Sequence, residues 1–130
     1  MTARIFVVED HAAAREALCE LLGIDRDLTV AGSAASAEEA LEALEEITVD
    51  LLLVDMALPG MNGTDLIRRA RERWPDVRCA VLSGFEEAPY VQNALAAGAD
   101  GYILKGLPYE LDEAIRRILA GEKYLSEPLR

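Results

Sequence analysis

Apolar, β-branched runs alternate with helical patterns along the whole chain, and this alternation constrains the fold more than any other feature. The most apolar run, residues 51–54, reads Leu-Leu-Leu-Val without polar alternation. Such a run is typical of a strand buried on both faces of a parallel sheet, here within a predicted strand at residues 50–55. Shorter runs predict four further strands, at residues 4–8, 29–32, 77–82 and 102–104.

A helical pattern follows each predicted strand. The first helix ends at about Leu22, and its apolar residues form one stripe at helical spacing: Ala14, Leu18, Leu21 and Leu22. The second begins at Ser36, which forms a predicted capping box with Glu39. The remaining three helices are predicted at residues 64–73, 89–97 and 108–120.

Strands and helices that alternate with short connections predict a parallel sheet covered by helices on both faces. Five such units, joined by right-handed crossovers, favour the doubly wound strand order 2-1-3-4-5. We therefore predict an α/β fold of the flavodoxin-like type, with a five-stranded parallel sheet and five helices. The 130 residues are enough for a single domain.

The overall charge and hydropathy exclude several functions. A net charge of -11 argues against binding of nucleic acid by this domain itself, because phosphate neutralisation needs clustered Lys and Arg. The charge fits a partner that is a cation or a basic surface. No apolar run approaches the length of a membrane span and the N-terminus lacks a signal-peptide pattern, so we expect a cytoplasmic protein without membrane contact.

A few residues that could suggest other chemistry have simpler explanations. Cys19 and Cys79 lack metal-ligand spacing, and we interpret them as free thiols. The single histidine, His11, makes a histidine-based metal site implausible; it could be a donor or ligand, but a solvent-facing helix start is favoured. The basic run within residues 68–73 is interpreted as a solvated helix face.

Polar residues stand where the predicted strands end. Glu9 and Asp10 end the first strand, Asp55 the third, Ser83 the fourth and Lys105 the fifth. Because parallel strands present their carboxyl ends at one edge of the sheet, these side chains are expected to meet there. Three carboxylates in one crevice repel each other unless a cation is bound, and an oxygen-rich site favours Mg²⁺.

A hydroxyl and an ammonium group beside such carboxylates indicate that an anion forms at the site. Phosphoryl transfer needs a nucleophilic oxygen, Mg²⁺ and fixed groups for the remaining phosphoryl oxygens. Aspartate carboxylates act as nucleophiles of this kind and form aspartyl phosphate. The residues themselves therefore predict that Asp55 accepts phosphate in a magnesium site.

With these residues in this order, the chain resembles the receiver domain of two-component response regulators over essentially its whole length. The resemblance implies that Asp55 takes a phosphoryl group from a sensor histidine kinase or a small acyl phosphate. It also implies that Asp10, Asp55 and the backbone carbonyl of Ala57 bind Mg²⁺ directly, with Glu9 acting through water.

The same resemblance assigns a switch to the remaining strand-end residues. Ser83 and Lys105 would hold the phosphoryl oxygens, and Tyr102 would turn inward when Ser83 moves toward the phosphate. The alternative for Tyr102 is a half-buried strand tyrosine. Ala57 and Phe85, two residues after Asp55 and Ser83, cannot hydrogen-bond an attacking water, which predicts slow loss of the phosphoryl group.

Three sequence segments are similar to the NarL/LuxR-type subgroup: Asp10-His11, residues 98–105 and residues 121–126. Members of that subgroup carry a helix-turn-helix DNA-binding domain after the receiver and regulate transcription. We therefore predict a receiver at residues 1–121 and the start of a linker to an absent output domain at residues 122–130. An excised receiver is favoured over a stand-alone one, and the last helix could form a homodimer or dock the output domain.

One departure and two rival functions accompany this resemblance. Many receivers place a cis-proline after the lysine; Gly106 stands there, so that feature is not carried over. A binding module that has lost phosphotransfer would usually lack a key residue, and none is missing. A phosphatase of the haloacid dehalogenase type would need a second aspartate where Ala57 stands.

Overall fold

The computed structural model describes residues 2–106 and 108–130, apart from the side chains of residues 108 and 109. Met1, where the predicted domain begins, lies outside the described residues. The strands are β1 Ala3–Val8, β2 Leu28–Ala34, β3 Leu51–Asp55, β4 Arg78–Ser83, β5 Gly101–Leu104 and β6 Tyr124–Leu125. The helices are α1 Ala12–Gly23, α2 Ala37–Leu44, α3 Gly63–Arg73, α4 Ala88–Ala97, α5 Pro108–Leu119 and a 3₁₀ helix, Glu127–Leu129. No helix in the described part of the chain is long and apolar enough to cross a membrane.

All strands are parallel and follow the order β2-β1-β3-β4-β5-β6. The predicted flavodoxin-like fold is confirmed, including the order of its first five strands. The sheet has a sixth strand, which the prediction of five strands missed, in the segment predicted to begin a linker. This strand, β6, has only two residues, which is too short for a period-two pattern to be recognised in the sequence. The strand exists because the Tyr124 amide donates to the Asp100 carbonyl at 3.0 Å and the Ser126 amide to the Tyr102 carbonyl at 3.1 Å.

The sheet separates two apolar layers, because successive residues of a strand point to opposite faces. In β1, Phe6 and Val8 face α2, α3 and α4, whereas Ile5 and Val7 face α1 and α5. Every side chain of residues 51–54 in β3 is at most 1 % exposed. The predicted burial of this central strand on both faces is therefore confirmed, and it fixes Asp55 at the rim of a rigid element.

Helix α1 is much less buried than its sequence pattern predicts. Leu22 is its only buried residue, and Leu21, which belongs to the predicted stripe, is 43 % exposed. A groove of about 310 Å³ lies beside α1 and is lined by Leu18, Leu21, Leu111 and Lys105 among others. Part of the predicted stripe therefore faces this groove.

Candidate functional site

The polar strand-end residues meet at the carboxyl edge of the sheet, as predicted. Glu9 directly follows β1, Asp55 ends β3, Ser83 ends β4 and Lys105 directly follows β5. The strand register sets their order: Val8 pairs with Val54, Asp55 with Leu82, and Ser83 with Leu104. Residues almost a hundred positions apart in sequence therefore share one edge.

Lys105 bridges the two buried carboxylates of the site. Its Nζ donates to Oε1 of Glu9 at 2.9 Å and to Oδ2 of Asp55 at 3.2 Å. Glu9 is only 4 % exposed and Asp55 only 8 % exposed. Charge-assisted hydrogen bonds of this length are strong, and here they hold a flexible lysine against the strand ends.

The remaining oxygen of each buried carboxylate faces a backbone amide. The Ala57 amide donates to Oδ1 of Asp55 and the His11 amide to Oε2 of Glu9, each at 3.2 Å. The Asp10 side chain is exposed, yet one of its oxygens lies within 4.8 Å of oxygens from both Glu9 and Asp55. Three carboxylates with no nitrogen or sulfur ligand among them fit a hard cation such as Mg²⁺.

The electrostatics of the two buried carboxylates differ. Burial raises the pKa of Asp55 above its ordinary value, and the neighbouring Glu9 raises it further against the attraction of Lys105. Burial also acts to raise the pKa of Glu9, but hydrogen bonds from Lys105 and the His11 amide outweigh it and leave that pKa lowered. One ammonium group therefore does not balance this concentration of negative charge.

Ser83, at the end of β4, and Tyr102, in β5, are both 0 % exposed. The Ser83 hydroxyl accepts a hydrogen bond from the Phe85 amide at 3.0 Å, and the Tyr102 hydroxyl donates to the Phe85 carbonyl at 2.7 Å. The Phe85 ring stacks on Tyr90 with centroids 4.6 Å apart. Tyr102 is thus fully buried, not half-buried, and is tied to the loop that follows Ser83.

The loop after Asp55 is held close to the strand by local sequence. Asn62 caps α3 by accepting a hydrogen bond from the Asp65 amide at 2.9 Å. Gly63, the first residue of α3, comes so close to β3 that a Cβ there would lie 2.6 Å from the Asp55 carbonyl oxygen. Glycine at this position therefore lets α3 start directly beneath the site.

Two contributions to the site were not anticipated from the sequence. Arg15 donates from Nη1 to the Glu9 carbonyl at 2.8 Å and so fixes the loop that carries the acidic pair. The Ser126 hydroxyl accepts a hydrogen bond at 2.8 Å from the amide of Leu104, the last residue of β5 and the neighbour of Lys105. His11 is exposed at the start of α1, as predicted, and its side chain makes no capping hydrogen bond.

The sequence matches the response regulator receiver domain family over residues 5–118. The chain belongs to this family. It is 38% identical over 128 residues to the nitrate/nitrite response regulator protein NarL of Escherichia coli strain K12, which covers 98% of this chain and 59% of NarL. It is 36% identical over 123 residues to the DNA-binding transcriptional activator DevR/DosR of Mycobacterium tuberculosis, covering 94% of this chain and 57% of the relative.

A solved structure gives the same result for the fold. The two-component response regulator of the LuxR family from Aurantimonas superposes with a TM-score of 0.95 at 34% identity, covering 99% of this receiver and 93% of that chain. The prediction of a NarL/LuxR-type receiver in two-component signalling is confirmed. The receiver spans less than two thirds of the length of NarL and DevR/DosR.

Proposed function

We propose that Asp55 accepts a phosphoryl group and that this modification switches the receiver. A carboxylate oxygen of Asp55 attacks the phosphorus atom of a phosphohistidine on a sensor histidine kinase, or of a small acyl phosphate. The bond between phosphorus and the donor breaks, and the donor leaves with that electron pair. The observation that carries the proposal is the buried Asp55 at a strand end, hydrogen-bonded to Lys105 at 3.2 Å.

We assign the metal site to the acidic cluster. Asp10 and Asp55 would bind Mg²⁺ directly together with the backbone carbonyl of Ala57, and Glu9 would act through water. The close approach of the Glu9, Asp10 and Asp55 oxygens supports this assignment. When bound, Mg²⁺ supplies positive charge for the transferring phosphoryl oxygens.

Lys105 and Ser83 take the remaining phosphoryl oxygens in this proposal. Lys105 already spans both carboxylates, so its ammonium group needs only a small movement to follow the new negative charge. The Ser83 hydroxyl accepts a hydrogen bond from the Phe85 amide, and the Phe85 carbonyl accepts one from the Tyr102 hydroxyl. A movement of Ser83 toward phosphate therefore acts on Tyr102 through Phe85 and couples the site to β5.

We predict that the phosphoryl group is lost slowly once it is formed. Neither Ala57 nor Phe85 can orient an attacking water, and Phe85 is stacked on Tyr90 beside the site. Ala57→Asn introduces an amide that can orient water, so it should shorten the lifetime by about tenfold or more. The decay of phosphorylated protein, followed by intact mass after donor removal, measures this; a wild-type lifetime of only seconds would contradict it.

We also propose the phosphoryl donor, the output and the location of this receiver. We infer a sensor histidine kinase as donor, transcription regulation through a helix-turn-helix domain after a linker beginning near residue 122, and a cytoplasmic location. Support comes from the relatives NarL and DevR/DosR, both of which are longer than this chain. A homodimer through the α5 region is a further proposal, and sedimentation with and without phosphorylation tests it.

The deciding experiment is intact mass after incubation with acetyl phosphate and Mg²⁺. We expect a gain of about 80 Da, one phosphoryl group, that requires Mg²⁺ and disappears in Asp55→Asn. Asp76→Asn, which changes an exposed aspartate at the other edge of the sheet, is the matched control and should react like the wild type. A wild type that gains no mass, or an Asp55→Asn variant that still does, contradicts the proposal.

A further inference from the structure

Among the described residues, Ser126 is a fully buried polar residue that lies outside the cluster of carboxylates. Its side chain is 0 % exposed. The Ser126 hydroxyl accepts a hydrogen bond from the Leu104 amide at 2.8 Å, and its own amide donates to the Tyr102 carbonyl at 3.1 Å. One residue therefore continues the hydrogen bonding of β6 along the outer edge of β5, beyond the two-residue strand itself.

These bonds fix the end of β5 immediately before Lys105. On the inner side, the Lys105 amide donates to the Ser83 carbonyl at 2.8 Å. On the outer side, the Leu104 amide has the Ser126 hydroxyl as its acceptor. The lysine side chain is long and 40 % exposed, so the reach of its Nζ to Asp55 depends on where the strand end holds its Cα atom.

The segment around Ser126 is anchored independently of the Ser126 hydroxyl. The Tyr124 hydroxyl donates to Oε1 of Glu110 at 2.6 Å, and Nε of Arg130 donates to the Leu125 carbonyl at 2.8 Å. Lys123 Nζ lies 3.0 Å from the buried Asp100. Removal of one hydroxyl group therefore leaves the segment in place and leaves the Leu104 amide without its acceptor.

We propose that Ser126 is a positioning residue for the phosphoryl site: it fixes the carboxyl end of β5 and thereby the ammonium group of Lys105. This inference rests on the proposed roles of Asp55 and Lys105. It makes the segment after α5 part of the structure that positions the phosphoryl site. By linkage, a change at Lys105 on phosphorylation also changes how firmly Ser126 is held.

The test is the rate of phosphorylation of Ser126→Ala by acetyl phosphate at fixed Mg²⁺, followed by intact mass. We expect the rate to fall by about threefold to tenfold, because the Leu104 amide loses the Ser126 hydroxyl as its acceptor and the strand end moves. Site-resolved hydrogen exchange should also show faster exchange of the Leu104 amide in this variant.

The matched control is Ser36→Ala, which also removes a serine hydroxyl that accepts from a backbone amide, that of Glu39 at 3.2 Å. Urea unfolding of both variants shows whether their losses of stability are comparable. A fall in rate confined to Ser126→Ala supports positioning; an equal fall in both variants, or a Ser126→Ala rate within twofold of the wild type, overturns it. If the wild type itself gains no phosphoryl group, the proposed function fails first.

Discussion

Two buried aspartates lie at opposite edges of the same sheet, in contrasting surroundings. Asp100, just before β5, is 2 % exposed and accepts hydrogen bonds from the Cys79 amide at 2.9 Å and from Lys123 Nζ at 3.0 Å. Arg71 lies 3.5 Å from the same carboxylate. Asp55, at the other edge, shares its single ammonium partner, Lys105, with a second carboxylate.

The difference lies in charge balance. At Asp100, two cations and an amide surround one carboxylate, so the cluster is satisfied as it stands and joins α3, β4, β5 and β6. At Asp55, one ammonium group contacts two carboxylates, a third carboxylate from Asp10 lies close to both, and the pKa of Asp55 is raised by burial and by Glu9. Removing one partner from a paired buried charge destabilises the fold, whereas an unbalanced buried charge is a candidate site for a ligand or a reaction.

The largest effect is expected on stability when Asp100 is replaced. Asp100→Ala leaves the buried Cys79 amide without its carboxylate and should lower the free energy of unfolding by about 3 kcal/mol. Asp76→Ala, which changes an exposed aspartate before β4, should change it by less than about 0.5 kcal/mol. Urea unfolding measures both, and phosphorylation of the folded Asp100→Ala protein should remain. If fully folded Asp100→Ala protein were not phosphorylated, the Asp55 site would depend on the cluster around Asp100, contrary to this prediction.

Binding of Mg²⁺ should raise the free energy of unfolding by a smaller amount than Asp100→Ala lowers it. At ten times its dissociation constant, Mg²⁺ should stabilise the wild type by about 1.4 kcal/mol, because it binds only the folded acidic cluster. Urea unfolding at constant ionic strength measures the gain, which should persist in Asp100→Ala and disappear in Asp10→Asn. An equal gain in Asp10→Asn would show that the cation binds elsewhere on this acidic protein.

Replacing Asp55 should change the free energy of unfolding in the opposite direction to replacing Asp100. In the presence of a chelator, Asp55→Asn removes one of three clustered carboxylates and should raise the free energy of unfolding by about 1 kcal/mol, while abolishing phosphorylation. The same urea titration measures this change. A clear loss of stability in Asp55→Asn would mean that the Asp55 carboxylate is as well satisfied as that of Asp100.

The smallest expected effect is the pH dependence of the stability that Asp55→Asn gains over the wild type. Because the pKa of Asp55 is raised above its ordinary value of 3.8, the folded chain binds this proton more tightly than the unfolded chain does. The destabilisation caused by the ionised group therefore fades as pH falls toward 3.8, and the advantage of Asp55→Asn should shrink as the pH is lowered from 7. Below its ordinary value of 4.5, the lowered pKa of Glu9 acts on stability in the opposite sense. An advantage that stays constant as the pH is lowered contradicts the prediction.

Most of the fold and the membership of the site could be predicted because both depend on local patterns. The apolar run at residues 51–54 identified the central strand, and the Ser36 cap is confirmed by its 3.2 Å bond from the Glu39 amide. The basic run in α3 was predicted less well. Arg68 and Arg73 are exposed as expected, but Arg71 turns to the buried Asp100, which no local pattern could show.

The sequence alone determined the alternation of elements, the strand order that follows from it and the polar residue types at the strand ends. These are properties of segments a few residues long, combined with the general handedness of parallel crossovers. The contact of Lys105 with both Glu9 and Asp55, the two cationic partners of Asp100 and the existence of β6 became visible in the folded chain alone. Those outcomes depend on side chains and strands that are distant in sequence and meet only when the sheet is assembled, so no periodicity in the chain encodes them.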